Sequence, residues 1–123
     1  MKTGTTNARL LGLCLFALLL SGGCAEPSTT SLKGLSEADA IERLGEPNSR
    51  FGPVAIDEPF FGPSPGGLNP GEVFLALHYH IGDYTYHVHM IHPDVFQRVT
   101  GVDPGPEEWH VLEVSRVPAD AVF

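Results

Sequence analysis

Cysteine is scarce in this 123-residue chain, which contains only Cys14 and Cys24. Cys14 lies inside the apolar run of residues 10–20, which has the features of a cleaved leader described below. If that leader is removed, Cys24 is the one cysteine left, and no intramolecular disulfide can form. The domain must then rely on its apolar core, although an export compartment would permit disulfides.

Basic residues are also few, with 7 Lys and Arg against 15 Asp and Glu. Residues 24–123 hold five of the basic and all fifteen acidic residues, a difference that gives a formal charge of −10. Such a surface repels nucleic acid and anionic lipid headgroups. The charge balance therefore predicts no nucleic-acid partner, and a membrane link through lipid rather than through a basic patch.

The chain lacks an apolar run long enough to anchor it in a bilayer, because a spanning helix needs about 20 residues. Its longest run, residues 10–20, follows Lys2 and Arg9, and no acidic residue precedes Glu26. A basic start followed by a short apolar stretch is typical of a secretory signal peptide. We predict that residues 1–23 are this leader.

The leader ends in LSGGC, which resembles the lipobox of bacterial lipoproteins. The resemblance implies that Cys24 is lipid-modified and becomes the first residue of the mature protein. Ala25, rather than Asp, follows the cysteine, which resembles the pattern that sorts lipoproteins to the outer membrane, facing the periplasm. Ser21 stands where the family prefers Leu, so the alternative is ordinary cleavage after Ala25 and a secreted protein.

Motifs of common enzymes are missing. The sequence contains no P-loop, nucleophile elbow, dinucleotide-binding fingerprint, HExxH or EF-hand loop. Asp57 and Glu58 are adjacent acids, but their position in a loop favours a solvated pair over a catalytic one. We therefore expect a protein that is not an enzyme.

The segment 34–47, GLSEADAIERLGEP, has strong helix signals. Ser36 is a natural N-cap, Asp39 can complete a capping box, and Gly45 and Pro47 end the helix. The pattern predicts about two turns of amphipathic helix at the start of a small domain, residues 34–123. The ten residues before it, 24–33, are small and polar and predict a tether.

Within this helix, Gly34-Leu35-Ser36 and Leu44-Gly45-x-Pro47 resemble the helix motif of BamE/SmpA-type outer-membrane lipoproteins. That family packs such a helix on a three-stranded antiparallel sheet. Its members are accessory subunits of the β-barrel assembly machinery. The resemblance implies a similar fold and a non-catalytic role beside an envelope protein partner.

Proline and glycine fill the next segment, residues 48–72, and account for ten of its 25 residues. This content predicts a long loop without a long regular element. Phe60 and Phe61 are the candidate contacts for a protein partner. The alternative, which we favour, is a strap whose phenylalanines plug the edge of the core, because exposed aromatic pairs reduce solubility.

Residues 73–91 alternate between apolar and polar on both sides of Gly82-Asp83, which predicts a β-hairpin with a two-residue turn. The turn sets a register in which Ile81 opposes Tyr84 and His78 opposes His87. One face of the hairpin is then apolar. Four histidines share the other face: His78, His80, His87 and His89.

These four histidines are candidate metal ligands. Opposed imidazoles lie close enough to converge on one ion, and ligation by imidazole alone suits Zn or Cu. The alternative, which we favour, is a solvated sheet face, because one side of a small antiparallel sheet is normally wet. A third hypothesis is that His78 and His87 repel when both are charged, which would loosen the hairpin near pH 6.

The remaining segments complete the domain. Val95, Val99 and Val102 predict a further strand or an irregular stretch after Pro93, and residues 109–117 predict a strand that begins with Trp109. His92 is expected to end its strand without binding a ligand. His110 is expected to share a sheet face with Leu112 and Val114.

Together these patterns predict an α+β fold, with one short helix packed on an antiparallel sheet of three to four strands. The function we expect is that of a lipid-anchored envelope protein with a structural or protein-interaction role. The alternative is a histidine-rich periplasmic lipoprotein that binds Zn or Cu.

Overall fold

The computed structural model describes residues 26–120. The predicted leader, residues 1–23, and the predicted lipidation site, Cys24, lie outside this range. Within it, no helix is long and apolar enough to cross a membrane.

The core of the fold is one antiparallel sheet of four strands in the order β1-β2-β3-β4. The strands are β1 Ser49–Ala55, β2 Val73–Ile81, β3 Tyr84–Ile91 and β4 His110–Pro118. In the described part of the chain, three helices accompany the sheet: α1 Thr29–Leu32, α2 Glu37–Leu44 and α3 Pro93–Thr100. The predicted α+β class with an antiparallel sheet is confirmed, with three helices instead of one.

The predicted hairpin is confirmed residue by residue. Ile81 pairs with Tyr84, His78 with His87 and Ala76 with His89. Gly82 takes a positive φ of 61°, which the tight turn requires and glycine adopts without steric cost. Because this turn leaves no freedom of register, all four histidines lie on the same face of β2 and β3.

Helix α2 also forms as its sequence predicts. The Ser36 hydroxyl accepts a hydrogen bond from the Asp39 amide at 3.2 Å, and Gly45 follows the last turn with a φ of 89°. The helix is only 8 residues long, too short to be stable in isolation. Its apolar side, formed by Ala40, Ile41 and Leu44, packs on the sheet.

The tether expected at residues 24–33 is shorter than predicted, because α1 lies within it. The Leu32 side chain is 0% exposed in the core. The Thr29 hydroxyl accepts a hydrogen bond from the Val114 amide of β4 at 2.8 Å. The chain is therefore part of the folded domain from this helix onward.

Segment 34–37 continues along the edge of β4. The Gly34 amide donates to the Val111 carbonyl at 2.8 Å, and the Val111 amide donates to the Leu35 carbonyl at 2.9 Å. The N-terminal segment therefore occupies hydrogen-bonding groups that an open edge would leave unpaired. The outer edge of β1 has no such strand partner among residues 26–120.

The prediction of a strand or irregular stretch after Pro93 was wrong, since residues Pro93–Thr100 form α3. Pro93 occupies the first turn, where its missing N–H is not needed, and Gly101 ends the helix in the left-handed conformation. Val95 and Val99 are four residues apart and face the same side, with Phe96 beside them. The helical spacing was present in the sequence, and the β-branched residues concealed it.

The loop predicted for residues 48–72 is shorter than expected, because the seven residues Ser49–Ala55 form β1 within it. Its pairing with β2 is interrupted between Phe51 and Val54, where the register shifts. Gly52 and Pro53, joined by a cis peptide bond, occupy this irregularity. Proline therefore sits in an edge strand at a point where no ladder hydrogen bond is required of it.

A second irregularity, in the pairing of β3 with β4, changes which side chains share a face. His89 pairs with Glu113, whereas the next residue, Met90, pairs with Val111. Leu112 is the extra residue of this bulge, so the alternation along β4 is reversed beyond it. Val114 therefore packs on the opposite face from Leu112, and the prediction that both share the face of His110 was wrong.

The sheet is covered on both faces. On one face lie α1 and α2, with a core that includes Leu32, Leu75, Leu77, Val88, Met90 and Trp109. The other face carries α3 and parts of the 48–72 segment, whose apolar side chains pack on Phe74 and Ile91. The second cover explains why the histidine face is not the wet side of the sheet.

Candidate functional site

Three of the four hairpin histidines form a continuous row, His78–His87–His89, which we call the histidine row. The ring centroids of His78 and His87 are 4.3 Å apart across the two strands. Those of His87 and His89, two residues apart on β3, are 6.1 Å apart. The hairpin register alone brings these rings together.

The fourth histidine stands apart in its surroundings. The His80 side chain is exposed, and its Nδ1 is hydrogen-bonded to the Thr85 hydroxyl at 3.0 Å. The expectation of a solvated face is met by His80 and partly by His78, which is half-buried. It was wrong for His87 and His89, which are 8% and 0% exposed.

The cover over the histidine row is largely aromatic. The Phe51 ring of β1 stacks on His78 at 6.3 Å, and the Phe74 ring meets His89 edge-on at 5.8 Å. Gly62 lies above His87, so close that a Cβ there would be 3.8 Å from the imidazole Cε1. The row is thus enclosed between the sheet and residues of the 48–72 segment, which the sequence predicted to be a loop or a strap over the edge of the core.

Burial makes the charged form of these rings unfavourable. Burial first, and then the neighbouring His78 and His80, lower the pKa of His87 to about 4. Burial first, and then His87, lower the pKa of His89 to about 4, while the Pro63 backbone opposes this shift. The pKa of His78 is lowered by burial and then by His80. The histidine row should therefore become protonated only below pH 6, the value near which its sequence suggested charging.

His89 is unusual in its hydrogen bonding. Among residues 26–120, no group is in hydrogen-bonding geometry with either ring nitrogen of this fully buried side chain, although the Pro63 backbone lies close enough to act as a weak acceptor and to oppose the lowering of its pKa. A neutral imidazole has one donor and one acceptor to satisfy. Leaving such a group unpaired in the interior costs about 1–3 kcal/mol, so His89 retains unused capacity to bind a ligand.

One carboxylate joins the same face of the sheet. Glu113 pairs with His89 across β3 and β4 and is half-buried. Sequence patterning missed it because the bulge at Leu112 moves Glu113 to the other face. Within residues 26–120, no three His, Cys, Asp or Glu side chains are already gathered in metal-coordinating geometry.

A second feature, which we call the aromatic groove, lies beside the row at the edge of β1. It has a volume of about 760 Å³ and is lined by residues 51–54 and 59–61. The two predicted contact residues differ here. Phe60 is partly buried and packs edge-on against Phe74 at 5.2 Å, whereas the Phe61 side chain is 82% exposed.

The other two histidines have structural roles. His92 precedes α3 as its N-cap residue, and its ring stacks on Trp109 at 4.2 Å. His110 is buried, with its Nδ1 3.1 Å from the Gly34 carbonyl and its Nε2 2.9 Å from the Glu107 carbonyl. The ring therefore joins the segment at Gly34 to the turn before β4.

No family model, curated protein or solved structure matches this chain. The resemblances to the lipobox and to the BamE/SmpA helix motif therefore remain predictions. Two features of the fold itself bear on function, the histidine row and the aromatic groove.

Proposed function

We propose that this protein is a lipid-anchored component of the bacterial envelope that binds a protein partner through the aromatic groove and performs no catalysis. The observation that carries the proposal is the contrast between two adjacent phenylalanines. Phe60 is anchored in the core beneath the groove, and this anchor presents Phe61 to solvent at 82% exposure. An aromatic side chain held outward by a rigid neighbour has the character of a binding residue.

The chemistry of the groove indicates what it binds. Its lining is apolar and aromatic, with no charged side chain. Asp57 and Glu58 are separated from the end of β1 by one residue. Arg50 and Arg98, two of the few basic residues, are already paired with Glu37 and Glu72. A net acidic surface around an apolar groove fits a protein segment that presents an apolar side chain flanked by Lys or Arg.

The structure also explains why the groove keeps its shape. Phe51 and Phe60 form its floor and are tied to Phe74 by ring contacts of 6.3 and 5.2 Å. The Asp57 carboxylate accepts a hydrogen bond from the Gly71 amide at 3.0 Å, which joins the two ends of the loop. The groove residues lose little conformational entropy when a partner binds, and this favours affinity.

Photo-crosslinking in intact membranes tests the docking role. We expect p-benzoylphenylalanine at position 61 of the full-length protein to form an adduct with one envelope protein. The crosslinked peptide should contain an apolar residue flanked by basic ones. Position 102 provides the control, because Val102 is 59% exposed but lies away from the groove. Adducts only with lipid, only with a second copy of the chain, or equally from both positions would refute the docking role.

Lipid anchoring is tested separately, by labelling cells with an alkyne fatty acid. We expect the wild-type protein to be labelled and the Cys24→Ser variant to lose the label, because the proposed acylated sulfur is absent. Cys14→Ser is the matched control and should remain labelled, since Cys14 lies in the predicted leader. Labelling that survives Cys24→Ser would exclude lipidation at this residue.

A further inference from the structure

We propose that the histidine row, His78, His87 and His89, binds one divalent transition-metal ion of the imidazole-preferring class, Zn²⁺ or Cu²⁺. This inference does not rest on the docking role of the aromatic groove. It narrows the ligand set expected from sequence from four histidines to three, because His80 is exposed and bonded to Thr85.

The availability of ring nitrogens is the first argument. Among residues 26–120, no group is in hydrogen-bonding geometry with either nitrogen of the buried His89 ring, and the Pro63 backbone is at most a weak acceptor. Nδ1 of His78 is 3.1 Å from the Ser49 hydroxyl, which leaves Nε2 of that ring unused. When a ligating imidazole donates one N–H to a neighbouring acceptor, that hydrogen bond fixes the ring. The other ring nitrogen then points to the metal.

The spacing of the rings is the second argument. Two imidazoles on one tetrahedral ion, with a Zn–N distance of about 2 Å, place their ring centroids roughly 5 Å apart. The observed separations, 4.3 Å and 6.1 Å, lie on either side of this value. No group of three His, Cys, Asp or Glu side chains among residues 26–120 is placed so that it could hold an ion, so binding requires the imidazoles to rotate about their side-chain bonds.

Burial and charge are the third argument. His87 and His89 are 8% and 0% exposed, so an ion held by these rings would lie out of bulk solvent. Residues 24–123 have a formal charge of −10, which favours the approach of cations. Glu113, opposite His89, supplies a carboxylate on the same face of the sheet. Nitrogen-rich ligation selects Zn²⁺ or Cu²⁺ over Mg²⁺ or Ca²⁺.

Metal titration of the full-length protein, extracted in detergent and freed of metal with a chelator, tests the site. Calorimetry with ZnSO₄ should show one ion per chain with a Kd below about 10 μM. His78→Phe, which retains a ring against Phe51, should weaken binding at least about tenfold. His80→Phe is the matched control on the same face and should change the Kd by less than about twofold.

Electron paramagnetic resonance of the wild-type protein with CuSO₄ provides a measurement that depends on no variant. Hyperfine splitting from imidazole nitrogens would support the site, and a signal typical of thiolate ligation would place the ion at a cysteine instead. No saturable binding, or equal losses in His78→Phe and His80→Phe, would overturn the proposal. Thermal unfolding of both variants without metal checks that each remains folded.

Discussion

Between pH 6.5 and pH 4, the metal-free protein should lose a large part of its stability. The pKa values of His87 and His89 fall from the ordinary 6.5 to about 4 in the folded protein, mainly through burial. In this interval the unfolded chain binds protons that the folded chain cannot, so the free energy of unfolding decreases as the pH falls. Above pH 6.5 both states carry neutral rings, and this contribution is constant.

The size of the effect follows from the shift. One pKa unit corresponds to about 1.4 kcal/mol, so His89 accounts for a loss on the order of 3 kcal/mol by pH 4. His87, which retains some solvent exposure, contributes less. Against a total stability of about 5–15 kcal/mol for a typical domain, this loss is large.

Urea unfolding at a series of pH values, with a chelator present, measures the loss. The His87→Phe and His89→Phe double variant should show a much flatter dependence between pH 6.5 and pH 4. The His80→Phe variant should keep the slope of the wild type, because His80 is exposed. A wild-type unfolding midpoint that is the same at pH 7 and pH 4.5 would show that the rings are not held neutral by burial.

The Gly52→Ala variant should be the most destabilising single-methyl change in the 48–72 segment. A Cβ at Gly52 would lie 2.8 Å from the Phe74 carbonyl oxygen and 3.2 Å from the Val54 amide. Backbone atoms of paired strands cannot move away independently, so β1 would separate locally from β2. The φ of 98° adds conformational strain, since residues with a Cβ rarely adopt it.

Gly71→Ala is the matched control for this change. Gly71 has a similar φ of 87°, but a Cβ there would meet nothing within 4 Å. The control should lose about 1–2 kcal/mol from backbone strain alone, and Gly52→Ala should lose clearly more in the same urea-unfolding experiment. Equal losses would mean that the approach of β1 to Phe74 is looser than the structure indicates. Because Gly52 also lines the aromatic groove, the variant should reduce crosslinking from position 61 as well.

The elements that were predicted correctly depend on interactions between residues close together in the sequence. The Ser36 cap and Gly45 lie within one helix length of each other, and the turn at Gly82 is adjacent to both strands that it joins. Their signals are local, since a cap hydrogen bond or a primed turn depends on residues two to ten positions apart. The hairpin therefore placed four histidines on one face before any tertiary structure was known.

The elements that were predicted wrongly depend on contacts between segments far apart in the sequence. Strand β1 forms because residues 49–55 pair with the edge of β2, 18 to 29 positions later in the chain. Its Gly-Pro pair, taken locally, indicates a loop. Helix α3 carries three β-branched residues in eight, Val95, Val99 and Thr100, so its local propensity favours a strand and its packing on the sheet prevails. The bulge at Leu112 depends on the partner strand, and no residue pattern within β4 predicts it.

The properties of the candidate site can likewise be separated into those set by the local sequence and those set by the tertiary structure. Alternation and a two-residue turn specify which imidazoles are neighbours, because the period of a strand and the geometry of its turn are local properties of the chain. Whether those imidazoles meet water was decided by residues 51–63, which lie against them from another part of the chain. Burial is a property of the assembled sheet, and so are the lowered pKa values, the unpartnered nitrogens of His89 and the outward position of Phe61.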